Sequence, residues 1–318
     1  MVVYEATDKT EKPAALPDRS QIALPQKVKF WVQSLFLKGL WSYCRLLSPE
    51  RASDLGARIM RRIGPRLQKF QKVQRNYKIA FPEKSDAEIT NLALGSMETL
   101  GRVIAEYAHL GRIMGPEYEA RVEFVTHDDQ SVLEPDRKPA IYIAAHQANW
   151  EMFAAVAFRL DRPLAIVSTP RPNYFIEAIL GEIRANNNFL VIDKEGAMRS
   201  IVRHLRNGTS IGVLADHRFE DGEMVPFFGQ EARTVVGTAR LAHRLGCDLV
   251  PARIERIGPV KFRITTYPPI VPESDLASDQ DKAVNMMVQV NKLFEGWIRE
   301  RPDQWVCTKR RWPNNKKK

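Results

Sequence analysis

From about Arg121 onward the chain alternates between two textures, and this alternation restricts its fold more than any other feature. Short apolar runs at Ala140–Ala145, Leu164–Ser168, Phe189–Ile192, Ile211–Leu214, Leu249–Ile254 and Phe262–Thr266 are separated by stretches with helical spacing. Runs of this length and composition read as buried strands, and strands alternating with helices specify an α/β domain. The expected core is a mixed, mostly parallel sheet flanked by helices, preceded by an N-terminal helical segment. With 318 residues, 44% of them hydrophobic, the chain has enough apolar surface to bury such a core. The expected divisions are a flexible tail at 1–25, a basic, helical, membrane-facing region at 26–110, and the α/β domain at 111–318.

Open α/β sheets gather their functional residues beyond the carboxyl ends of the strands. His146, Arg171, Asp193 and Asp216 each stand at or just past such an end, which predicts one shared cleft. The most telling segment is His146-Gln147-Ala148-Asn149-Trp150-Glu151, directly after the run Ala140–Ala145. A histidine with a carboxylate five positions on is a candidate general base with an orienting partner. On one regular helix the two would stand about 140° apart. A strand end, a tight turn and a helix start bring both into one cleft instead. Glu151 is then expected to fix the tautomer of His146. The plainer alternative is a histidine that only makes structural hydrogen bonds.

Asp216 closes Gly212-Val213-Leu214-Ala215-Asp216, and an unpaired carboxylate there is costly, so an Arg partner is expected. Arg171 and Arg184 are the candidate anion binders. Arg184 follows the helix-like Tyr174–Ile183, and its planar donor fork suits a phosphate or a developing oxyanion. A helix-terminal cation favoured by the dipole is the competing reading.

Other patterns carry less. Gly208-Thr209-Ser210-Ile211-Gly212 matches G-x-S-x-G, but Ser210 follows a helix and precedes a strand, the reverse of a nucleophile elbow. His243 and Cys247 lie one helical turn apart without a protease or metal pattern around them. The cysteines Cys44, Cys247 and Cys307 are too scattered for a disulfide framework or a zinc site. No metal or other cofactor is expected.

The charge is uneven. Between Gln26 and Lys78 there are 13 Lys and Arg against two acids, and Lys309–Lys318 adds six basic residues with none acidic. Since the whole chain is +10, the remainder is net acidic. Met1 to Gln21 is polar and mixed in charge, without the pattern of a secretory signal. In the basic N-terminal region Val28, Trp31, Val32, Leu35, Leu40, Tyr43 and Leu47 recur near helical period. A spanning helix needs ~20 apolar residues, and Lys38 and Arg45 would each add roughly 2.5–3.5 kcal/mol to insertion. An interfacial amphipathic helix is expected, with Trp31 and Trp41 at headgroup level and the cations on anionic lipid. An ordinary helix packed on its own domain is the alternative. Nucleic acid is not an expected partner, because the aromatics lie in an apolar stripe rather than between the basic residues. Ser85 with Glu88 three positions on predicts a capping box opening a helix through Leu110.

The hexapeptide at His146 resembles the H-x4-[D/E] box of glycerolipid-type acyltransferases. Its Asn149-Trp150-Glu151 is more specifically similar to the late acyltransferases of lipid A synthesis, the lauroyl/myristoyl transferase family. Ala148 stands where that family usually has Gly. Asn76-Tyr77-Lys78-Ile79-Ala80-Phe81-Pro82 resembles the family's Asn-Leu-x-x-x-Phe-Pro, with Tyr77 for Leu. Asp216-His217 stands where Asp-Gln is frequent. Val225-Pro226-Phe227-Phe228-Gly229 and Pro302-Asp303-Gln304-Trp305-Val306-Cys307 match further segments in the family's order, with Cys307 for a usual Trp.

The resemblance implies transfer of a fatty acyl chain from acyl carrier protein to a hydroxyl of a lipid A precursor at the cytoplasmic face of the bacterial inner membrane. His146 and Glu151 would be catalytic. Asn149, Arg171, Arg184, Asp216 and Phe228 would contact substrate, with Phe228 walling an acyl groove or serving simply as core. A phospholipid or glycosylated phosphoinositide acceptor, with acyl-CoA as donor, is the other reading of the same build.

Overall fold

The computed structural model describes residues 22–115, 117–127, 138–160, 163–185, 190–193 and 197–313. The expected tail falls mostly outside them, as do Phe189 and the terminal Lys316-Lys317-Lys318. The first four helices are α1 (Leu24–Arg45), α2 (Pro49–Ile63), α3 (Gln68–Ala80) and α4 (Asp86–Glu106). The short turns α5 (Leu110–Ile113) and α6 (Tyr118–Arg121) lead into β1 (Val122–Thr126) and β2 (Ile141–Ala144). Then come α7 (Ala155–Leu160), β3 (Leu164–Ser168), α8 (Tyr174–Ala185), β4 (Leu190–Asp193), α9 (Ala197–Arg206) and β5 (Ser210–Leu214). The chain closes with β6 (Glu223–Phe227), β7 (Gln230–Thr234), α10 (Gly237–Leu245), β8 (Leu249–Gly258), β9 (Lys261–Thr266) and α11 (Asp279–Glu300).

Among the described residues, seven strands form one sheet in the order β1-β9-β8-β2-β5-β3-β4. Every pairing is parallel except the β8–β9 hairpin, so the sheet is mixed and mostly parallel, with helices on both faces. All six apolar runs are strands. β1 and the antiparallel pair β6–β7 were not foreseen, since Val122–Thr126 alternates weakly and Glu223–Phe227 carries a proline. Pro226 is tolerated because β6 has β7 as its one strand partner among the described residues, so it is an edge strand. Phe228 (φ 51°) and Gly229 (φ 67°) form the two-residue turn of that hairpin. Both central residues being left-handed is the requirement of a type I′ turn, and Phe is an uncommon occupant.

Burial follows the strand period. Ile141 and Ile143 of β2 join one apolar cluster with α4, α9, α10 and α11. Tyr142 and Ala144 face the other, with Met152, Phe153, Trp41 and Leu180. The predicted capping box holds: Ser85 Oγ accepts from the Glu88 amide, and the Glu88 carboxylate accepts from Ser85 N–H. Helices α2 and α4 cross at Gly56 and Gly101, where an added Cβ on either would lie 2.2 Å from the other's carbonyl oxygen.

Helix α1 is shared between core and solvent. Phe30, Trp41 and Cys44 are buried, whereas Val28, Trp31, Val32, Leu35, Phe36 and Tyr43 are exposed. Trp41 is therefore not at a headgroup: its Nε1 donates to the Ile104 carbonyl at 2.7 Å and its ring lies against Tyr107. Among the described residues no helix is long and apolar enough to cross a membrane.

Candidate functional site

Strands β2 and β5 are parallel neighbours, with Ala144 opposite Leu214. Two residues past each of these lie His146 and Asp216, and the ladder continues between them through Ala215 N–H to Ala144 O. The register therefore delivers the histidine and the aspartate side by side. Asp216 Oδ1 is 2.6 Å from His146 Nδ1 and accepts from the His146 backbone N–H at 3.0 Å. Its other oxygen accepts from Trp305 Nε1 at 2.8 Å. Asp216 is completely buried, which alone would favour the protonated acid. The electrostatic pull and hydrogen bond of His146, with a hydrogen bond from Trp305, outweigh this and hold the carboxyl well below the usual carboxylate range. An ionised carboxylate only accepts, so Nδ1 is the nitrogen that donates to it, and in the neutral imidazole the lone pair lies on Nε2. This is the tautomer of a general base. The imidazole is bounded by His217, stacked at 3.7 Å between centroids, and by the edge of Trp150.

Two expected partnerships are thereby exchanged. Glu151 does not orient His146, and Asp216 is not held by an arginine. Glu151 instead receives Nε and Nη2 of Arg184, at 3.3 and 2.8 Å, and the Tyr107 hydroxyl. The pair is buried. Burial opposes ionisation of Glu151, but the Arg184 charge and hydrogen bonds dominate and keep its pKa below the ordinary value. The reason is local. After His146 the backbone turns through Ala148 (φ 49°) and starts a short 3-10 helix at Trp150, which directs Glu151 toward α8 rather than back to the imidazole. Ala148 occupies a left-handed position, which explains why glycine suits it.

Arg184 is thus engaged on Glu151 and is almost wholly buried, so the expected free donor fork is not presented to a ligand. Asn149 is likewise not a cleft residue. Its Oδ1 accepts from Glu151 N–H as the cap of the 3-10 helix, and its Nδ2 donates to Glu106 at 2.8 Å. Glu106 is itself buried and ion-paired with Arg256. The 146–151 loop is therefore fastened by two buried ion pairs, Glu106–Arg256 through Asn149 and Arg184–Glu151 directly. Arg171 stays partly exposed at the end of β3, with its N–H and one guanidinium arm on Glu177. Phe228 packs against Phe81, Trp305 and Trp312 and borders a surface cavity with Ile79 and Pro82.

Trp305, Tyr107 and His217 were not singled out from the sequence. The motif at Asn76-Tyr77 held a clue to the first. Asn76 Nδ2 donates to the carbonyls of Cys307 and Lys309, its Oδ1 accepts from Arg311 N–H, and the Tyr77 hydroxyl donates to Pro302 and Trp305. Helix α3 thereby clamps the C-terminal segment, and that segment carries Trp305 onto Asp216. Ser210 begins β5 after α9, as its context predicted.

His146, Asp216 and His217 present ligand atoms within 4.8 Å of one another, the spacing of a metal site. The two rings are only 14° from parallel, however, so their in-plane lone pairs run side by side instead of converging on one ion. Asp216 is also occupied by three donors. The arrangement suits proton transfer at Nε2.

A profile described as bacterial lipid A biosynthesis acyltransferase matches residues 22–314 of the chain. Comparison with curated proteins gave no match.

Proposed function

The chain belongs to the bacterial lipid A biosynthesis acyltransferase family and is an acyltransferase, and on that premise we propose that His146 is the general base for acyl transfer from acyl carrier protein to a hydroxyl of a lipid A precursor. The observation that carries this reading is the Asp216–His146 hydrogen bond at Nδ1, which leaves Nε2 free to accept a proton. As the acceptor hydroxyl oxygen bonds to the thioester carbonyl carbon, its proton passes to Nε2. Asp216 stabilises the resulting imidazolium. Collapse of the tetrahedral intermediate breaks the C–S bond, and the departing thiolate takes the proton back from Nε2. The products are an ester and a free carrier thiol, and His146 returns to its starting state. Glu151 and Arg184 fix the loop that carries His146. Arg171, partly exposed past the end of β3, is the cation assigned to an anionic group of substrate.

The exposed face of α1 supports peripheral attachment to the cytoplasmic face of the inner membrane. Val28, Trp31, Val32, Leu35 and Phe36 expose apolar surface beside Lys27, Lys29 and Lys38. Such a face binds an anionic bilayer by burial and charge together.

The test is transfer by the full-length protein with acyl carrier protein or CoA thioesters and a lipid A precursor, the product read as an added acyl mass. His146→Ala is expected to lower turnover at least ~10²-fold. Near-parental turnover in this variant overturns the base assignment. Preference for acyl-CoA, or for a phospholipid acceptor, overturns the donor or acceptor assignment.

A further inference from the structure

The stack of His217 on His146 is not explained by the reading above. The rings lie 3.7 Å apart between centroids and 14° from parallel. Side chains rarely share so much face unless the surroundings hold them there. His217 follows Asp216 immediately, so the residue beside the carboxylate that orients His146 covers one face of the same imidazole. The Nε2 atom of His217 is buried and has no hydrogen-bond partner, and its other nitrogen bonds to the Val306 backbone. Val306 N–H in turn donates to the His146 carbonyl at 2.8 Å. The backbone at 146 and 306 and the rings at 146 and 217 thus form one closed set of contacts.

We propose that His217 is a positioning residue: its neutral imidazole stacks on His146 and, with Asp216 at Nδ1, restricts the base to the one ring plane that presents Nε2 to the acceptor hydroxyl. This inference rests on His146 being the base. The groups facing His217 are His146, Asp216, Lys309 and the Val306 carbonyl. Burial is the main reason it stays neutral, with the neighbouring His146 and Lys309 charges acting in the same direction, and its pKa is pushed down to about 3. A neutral ring stacks without repelling the imidazolium that forms opposite it during turnover. The geometry asks for a flat group that hydrogen-bonds to Val306, a need that a Gln amide also meets. A round aliphatic side chain meets neither need.

The experiment compares His217→Ala, His217→Leu and His217→Gln with the parent protein and with His146→Ala. A stacked aromatic pair favours its geometry by roughly two- to tenfold. His217→Ala and His217→Leu should therefore lower kcat by about twofold to tenfold with KM for both substrates unchanged, and His217→Gln should restore most of the loss. The 15N spectrum of His146 supplies a readout independent of turnover. It should report one sharp, Asp216-bonded Nδ1–H resonance in the parent and in His217→Gln, and a resonance broadened by exchange of the ring out of that plane in His217→Ala. Unchanged kcat and an unchanged His146 spectrum in both His217→Ala and His217→Leu overturn the proposal. Normal activity in His146→Ala overturns the base assignment instead, so the two failures are distinguishable.

Discussion

Replacing Asp216 by Asn tests the exchanged partnership most directly, because the substitution keeps shape and changes only charge and one acceptor. Asp216 accepts three hydrogen bonds, two at Oδ1 from His146 and one at Oδ2 from Trp305. An Asn has one acceptor oxygen, and neither orientation fits. If the oxygen stays toward His146, the NH2 group faces Trp305 Nε1–H, donor against donor, at a separation of 2.8 Å in the parent. If the amide flips, the NH2 group faces the His146 backbone N–H and forces Nδ1 to become an acceptor. The proton then sits on Nε2 and the base is lost. Each orphaned donor costs about 1–3 kcal/mol, a moderate loss of stability. The wrong tautomer costs far more in rate, on the order of 10⁴-fold in kcat for the comparable aspartate of a Ser-His-Asp triad. Glu151→Gln is the contrasting change. It leaves Arg184 charged and buried without its hydrogen-bonded counter-ion, a loss of roughly 3–5 kcal/mol in stability, while the His146–Asp216 contact remains. The assay is single-turnover acyl transfer beside thermal unfolding of both variants. Asp216→Asn should fall at least ~10³-fold in rate with a modest shift in Tm, and Glu151→Gln should show the larger drop in Tm. If Asp216→Asn stays within about tenfold of the parent rate, short of the loss a wrong tautomer causes, Asp216 does not set the tautomer and the argument fails.

Three further outcomes are expected. Ala148→Gly removes a left-handed strain of about 1–2 kcal/mol and adds unfolded-state entropy of about 0.4–1 kcal/mol; Tm should rise slightly, and a fall would show that the loop does not store that strain. His217 has its folded pKa depressed to about 3, below the unfolded value of 6.5, so the unfolded chain gains a proton that the fold refuses. Stability should therefore decline as pH falls from about 6.5 toward 3, by up to about 1.4 kcal/mol per unit, and His217→Gln should flatten that slope in denaturant titrations; an unchanged slope refutes the assignment. Asp216, Glu151 and Glu106 also have depressed folded pKa values, so their contributions are present above the ordinary carboxylate range and are lost as pH falls through the folded values. The paired change Trp31→Ser with Phe36→Ser alters only exposed positions of α1. It should weaken binding to anionic vesicles by at least ~10-fold, given ~1.5–3 kcal/mol for a fully buried large apolar side chain, and leave transfer to detergent-dispersed acceptor intact; undiminished vesicle binding would remove α1 as the membrane contact.

The sequence by itself determined the features that repeat along the chain. Six apolar runs marked six strands, Ser85 and Glu88 marked the start of α4, and the polar residues just past two of those runs marked His146 and Asp216 as site candidates. These are local facts, set by side-chain period and by hydrogen bonds spanning three or four residues. The tertiary structure decided which polar group meets which. Glu151 is five residues from His146 in sequence yet reaches Arg184, whereas Asp216, 70 residues away, reaches Nδ1. The β2–β5 register causes this, and a single sequence does not state which strands are neighbours. The same holds for Trp41, whose place on α1 fits the exposed stripe until α4 packs over it, and for Gly56 and Gly101, which look incidental until two helices cross there. Pairing across the sheet and contact between helices depend on distances between remote segments, and only the folded chain sets those distances.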